Sequence, residues 1–180
     1  MTYLVLASIL LAVLYVGAAI WTRWRAADAY GGFAERLNAA LPDSISALVY
    51  ELPRGWQWLW IFWMWAVSML TCIPLIEVLP DDARALGFAT LGCLCFCGAM
   101  PISDSSVNRR AHNVFGILGG ILSQVCVAIL SPWWLAAWSL MAVAWIWTTK
   151  DCGRTAFGGK GVFLAEVICA ATVFGTILSS

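Results

Sequence analysis

The chain has 180 residues, 62% of them hydrophobic and 11% charged, and its ten Lys/Arg balance ten Asp/Glu at zero net charge. Soluble domains usually carry about 25% charged residues and less apolar content, so this composition argues for membrane helices and excludes a sizeable soluble domain. The basic residues form no long patch, which argues against nucleic acid as a partner.

Taken in order, residues 3–21 are an apolar run that stops at Arg23 and Arg25. No basic residue precedes it and no small-residue cleavage pattern follows, so it reads as an uncleaved first span. Residues 22–55 form the longest connection. Tyr30, Phe33, Leu37, Ala40 and Leu41 share one helical face, and Ile45, Leu48, Val49 and Leu52 repeat the pattern after Pro42-Asp43. That predicts a short amphipathic interfacial segment between spans one and two, with Asp43 as an N-cap. A loop folded back over the bundle fits the same pattern.

The second span, 56–79, opens with Trp56, Trp58, Trp60, Trp63 and Trp65, which suit a membrane–water interface. Pro74 is expected to kink it. Glu77 and Pro80-Asp81-Asp82 end it in a polar turn, and the third span, 83–102, is rich in small residues. The stretch PISDSSVNRRAHNVFGILGGILSQVC then brings Arg109, Arg110 and the only histidine, His112, against the fourth span, 112–130. His112, Gly116, Gly120 and Ser123 recur near the helical period. Gly116 and Gly120 are therefore expected to meet a neighbouring backbone, with Ser123 and Gln124 bonding toward Ser68, Thr71 or Thr90. Asp104, Ser105, Ser106 and Asn108 suit a capped turn. The fifth span is 133–149, the loop 150–160 is polar and glycine-rich, and the sixth span is 161–178. The fold class is thus all-α integral membrane, a single six-helix domain over residues 1–180.

Nine of the ten basic residues fall in the first, third and fifth connections, and only Arg84 falls on the other side. Lysine and arginine are retained in the cytoplasm during insertion, so both termini are expected outside, in a bacterial inner membrane.

Cys72, Cys93, Cys95, Cys97, Cys126 and Cys169 lie inside apolar segments and only Cys152 lies in a loop, which reads as packing. On a helix Cys93 and Cys97 share a face and Cys95 points away, so the three cannot converge on a metal. Gly158-Gly159-Lys160-Gly161 fails as a phosphate loop, because Arg154 stands where a glycine is needed and Gly161 where a hydroxyl is. Glu166 lies about one and a half turns inside an apolar span. An intramembrane carboxylate is a site hypothesis by default. His112, Arg109, Arg110 and Lys160 are its candidate partners. Glu166, His112 and Asp104 together are the candidate acid–base or metal set. The blander reading is a carboxylate tied to a cation that fixes the bundle.

Two local patterns carry a resemblance. Pro42-Asp43-Ser44-Ile45-Ser46 is followed by Pro53 and a tryptophan-rich span, and Gly98-Ala99-Met100-Pro101 by His112. Over roughly residues 40–125 this is similar to the six-helix damage-regulated autophagy modulator group and its bacterial and phage relatives. The resemblance implies a six-helix bundle, no established enzyme activity and a link to membrane lipids. It also implies a first loop outside, where the charge distribution places it inside.

The expected function is a lipid-interacting or assembly component of a membrane. Its partners are membrane lipids and a homo-oligomeric or other helix-packing partner, and no cofactor is expected. The alternatives are an intramembrane acid–base or metal-dependent hydrolase using Glu166, His112 and Asp104, and a small transporter or channel subunit.

Overall fold

The computed structural model describes residues 1–27, 32–100, 106–143 and 160–180, and over these the chain is helical with no strand. The elements are α1 (Thr2–Ala26), α2 (Phe33–Ala40), α3 (Trp58–Val78), α4 (Arg84–Ala99), α5 (Ser106–Leu130) and α6 (Gly161–Ser179). Short 3-10 turns lie at Ser46–Glu51, Arg54–Trp56 and Pro132–Trp138.

By length and apolar composition, α1, α3, α5 and α6 are each able to cross a membrane. Their outward surfaces are apolar too, with Leu10, Leu14, Phe62, Ile117, Ile121 and Val162 all exposed. Water would penalise that surface, whereas a hydrocarbon solvent requires it, and the helical backbone satisfies its own hydrogen bonds there. The expected count of six spans is reached only in part. At 1.5 Å per residue the third expected span, 83–102, is reduced to a helix of about 24 Å in α4, against roughly 30 Å of hydrocarbon. The fifth, 133–149, begins as the 3-10 turn Pro132–Trp138, and its residues 144–149 lie outside the described residues. The other expected spans match α1, α3, α5 and α6, and α3 runs on through Pro74 to Val78.

α1 packs antiparallel to α3. Ser8 Oγ lies 2.7 Å from Thr71 Oγ1, Trp63 Nε1 donates to Leu11 O at 3.0 Å, and the Tyr15 ring lies 4.6 Å from that of Trp63. Small residues set the α3–α4–α5 contacts. A Cβ on Gly98 would stand 2.7 Å from Met64 Cβ, and one on Gly87 2.6 Å from Ile76 Cγ1. On α5 a Cβ on Gly119 would stand 3.1 Å from Leu94 Cδ2, and one on Gly116 3.3 Å from Cys97 Sγ. The expected Gly116/Gly120 pair is corrected here, because a Cβ on Gly120 would meet nothing within 4 Å. Cys93 and Cys97 are buried while Cys95 is half-buried, as their spacing implied.

α6 runs parallel to α5 and is stitched to it by Gln124. Gln124 Oε1 accepts from Trp138 Nε1 at 2.8 Å and Thr172 Oγ1 at 3.1 Å, and its Nε2 donates to Cys169 O at 3.3 Å. Ser123 Oγ lies 3.2 Å from Cys169 Sγ. The partners of this polar pair are thus on α6 and the 3-10 turn, in place of Ser68, Thr71 or Thr90.

Two apolar clusters mark the ends of the bundle. One holds Val5, Leu75, Leu79, Ala83, Cys126, Val127, Val173 and Ile177, near both chain termini. The other holds Leu48, Val49 and Trp60, with Tyr15, Val16 and Met64 against them. The first connection therefore folds back onto the bundle. Its second half is the 3-10 turn Ser46–Glu51, where an amphipathic helix was expected. Asp43 does not cap this turn. Ser44 does, its Oγ accepting from the Ala47 N–H at 3.0 Å.

Candidate functional site

The first connection meets α6 through three contacts. The first turn of a helix leaves N–H groups without intrahelical partners, and here Asp43 O accepts the Phe163 N–H at 3.2 Å. The Asp43 carboxylate accepts from Lys160 Nζ at 2.6 Å. One and a half turns further in, Glu166 Oε2 accepts the Ile45 N–H at 2.5 Å. Pro42 is buried and lacks an N–H, so it enters this corner without a donor to satisfy. Asp43 thus gives its carbonyl and its carboxylate to α6, and Ile45 gives its N–H.

This accounts for Glu166. A carboxyl group beneath an apolar helix surface needs a polar partner, and the Ile45 backbone amide supplies one hydrogen bond. Lys160, a candidate cation for Glu166, is committed to Asp43. Arg109 and Arg110 are exposed at the start of α5 and make no ion pair among the described residues.

His112 is buried and makes its hydrogen bonds to α4 and not to that clasp. Its Nδ1 lies 2.9 Å from Cys97 O and 2.8 Å from Met100 O. Carbonyl oxygens only accept, so Nδ1 carries the proton and donates to the C-terminal end of α4. The ring closes a helix end whose last carbonyls lack partners. Cys97 Sγ lies 3.6 Å from both ring nitrogens. A thiol in line with the Nε2 lone pair would be much nearer Nε2 than Nδ1, so the two are not aligned as nucleophile and base. No hydrogen bond joins Glu166 to His112 among the described residues. Asp104, the third member of the candidate set, lies outside the described residues. Among the described residues no three His, Cys, Asp or Glu side chains gather as metal ligands would.

Around this end, Arg23 Nε donates to Glu51 Oε1 at 2.6 Å and Arg23 Nη1 to Leu41 O at 3.2 Å. Arg36 stands 4.4 Å from the centre of the Trp24 ring and donates to Trp24 O. Arg25 lies over Trp21 at 6.0 Å. Sequence reasoning missed the role of Asp43 and Ile45. The signals for it were an aspartate after a proline and a lysine immediately before a helix, and neither points to the other.

No family model matches the chain, and neither a curated protein nor a solved structure matches it.

Proposed function

We propose that the protein is a lipid-interacting membrane protein that crosses the bilayer six times and lays its first connection in the headgroup layer of the cytoplasmic leaflet. The observation that carries this reading is the two-sidedness of that connection. Its inner side is fixed, with Ala40, Leu48 and Val49 buried and Asp43 and Glu51 tied to Lys160 and Arg23. Its outer side presents large aromatic rings, Phe33 at 73% exposure, Trp56 at 58% and Tyr50 at 53%, beside arginines resting on Trp21 and Trp24. Amphipathic rings and guanidinium groups of this kind favour the membrane interface, where the ring contacts apolar chains and the charge meets headgroups.

The direction of the described helices supports the six crossings of this reading. α3 and α5 run away from the basic end and α4 runs back to it. Leu130 lies at the far end, with Trp134 against Gly175 of α6, while Lys160 lies at the basic end against Asp43.

The test uses a cysteine-less background in spin-labelled liposomes, with a fluorophore on a cysteine placed at Phe33, Tyr50 or Leu10. Labels near the headgroup are expected to quench the Phe33 and Tyr50 probes most, and labels at the chain terminus the Leu10 probe. Probes at Phe33 and Tyr50 quenched by aqueous iodide and by no lipid label would overturn the reading.

A further inference from the structure

Among the described residues of the basic end, four cations already have work. Lys160 is paired with Asp43 and Arg23 with Glu51, while Arg36 and Arg25 lie on tryptophan rings. Arg109 and Arg110 differ: both are exposed and neither has a carboxylate among the described residues. They sit where α5 passes from its polar first turn to a lipid-facing surface. From Arg110 the helical period leads to Val114, Ile117 and Ile121, at four, seven and eleven residues, all on one face and all exposed. Eleven residues span about 16 Å, close to the depth of one hydrocarbon leaflet, roughly half of 30 Å.

We infer that Arg109 and Arg110 hold the phosphate of an anionic phospholipid whose acyl chain lies along Val114, Ile117 and Ile121. The inference rests on the lipid-interacting reading and names the lipid class. Two guanidinium groups with no carboxylate partner among the described residues, at the edge of a low-dielectric phase, attract an anion. Guanidinium recognises phosphate oxygens by paired N–H donors. A zwitterionic headgroup brings its own cation to the same place, which lowers the attraction. The apolar stripe below accepts a chain and gives no support to a free phosphate ion.

The experiment is native mass spectrometry of the full chain in detergent, titrated with phosphatidylglycerol or phosphatidylcholine. Wild type is expected to retain phosphatidylglycerol at a concentration about tenfold or more below that needed for phosphatidylcholine. The double variant Arg109→Gln/Arg110→Gln is expected to lose that preference at an unchanged melting midpoint, because both side chains are exposed and neither makes an ion pair among the described residues. A preference retained in the double variant overturns the site. So does an equal loss in Arg25→Gln, which would assign the effect to the field of the whole basic end. A wild type without preference, inorganic phosphate displacing the lipid, or a dimer of this chain indifferent to lipid would each overturn it as well. The depth of the Phe33 probe is read independently, so failure here and failure of the wider reading are distinguishable.

Discussion

Glu166 is held by an amide, and that decides what its variants should do. A glutamine keeps an oxygen in the same position, able to accept the Ile45 N–H that now bonds to Oε2 at 2.5 Å. An alanine removes the acceptor and leaves that N–H without a partner, at a cost of about 1–3 kcal/mol. Thermal unfolding in detergent should therefore rank wild type and Glu166→Gln close together, within about 1 kcal/mol, with Glu166→Ala clearly below both. A glutamine variant as unstable as the alanine would mean that the charge pairs with a cation, as the sequence suggested. The carboxylate itself was legible in the chain, since an acid inside an apolar run is rare. Its partner was not legible. It is a backbone group 121 residues away, and every residue but proline carries one.

Helix rotation decides which glycine matters. The stripe of His112, Gly116, Gly120 and Ser123 follows from the period alone, but the period does not say where a neighbouring helix lies. α4 meets α5 over His112, Gly116 and Gly119, so the contact keeps the first two residues of that stripe and turns to Gly119 in place of Gly120. The reason lies on α4, whose inward Cys93 and Cys97 and adjacent Leu94 determine which side of α5 is approached. Gly98→Ala places a methyl group 2.7 Å from Met64 Cβ, an atom fixed to the α3 backbone that cannot swing away. The expected loss is about 1–3 kcal/mol. Gly120→Ala meets open space and removes the helix penalty of glycine, so its midpoint should hold or rise by up to about 1 kcal/mol. Melting curves of the two variants in one detergent check both, and a Gly120→Ala loss equal to that of Gly98→Ala would mean a different α5 rotation.

Over the described residues, all the basic side chains named above except Arg84 lie at the end opposite the chain termini. Arg23, Arg25, Arg36, Arg109, Arg110 and Lys160 gather where α1 ends and α5 and α6 begin, while Arg84 stands with Asp81 and Asp82 at the other end. Met1 and Ser180 share that second end, since Val5 packs with Leu79 and Ile177. The sequence made the charge asymmetry readable because lysine and arginine stop at helix boundaries. The back-folding of the first connection was hidden, since an amphipathic pattern fits a headgroup layer and a bundle surface alike. If basic segments are retained in the cytoplasm, the proposed orientation puts this basic end inside and both termini outside. In a background with the native cysteines replaced, Ser180→Cys should react with a membrane-impermeant maleimide on intact cells. Glu35→Cys, exposed on α2, should react only after permeabilisation. Both positions are solvent-facing, so a difference between them reports the side of the membrane and not burial. The reverse pattern would place the basic end outside, against the charge rule, and would remove the cytoplasmic leaflet from the functional reading. Labelling of both positions on intact cells would overturn the proposed six crossings, because α2 and the C-terminus would then share a side.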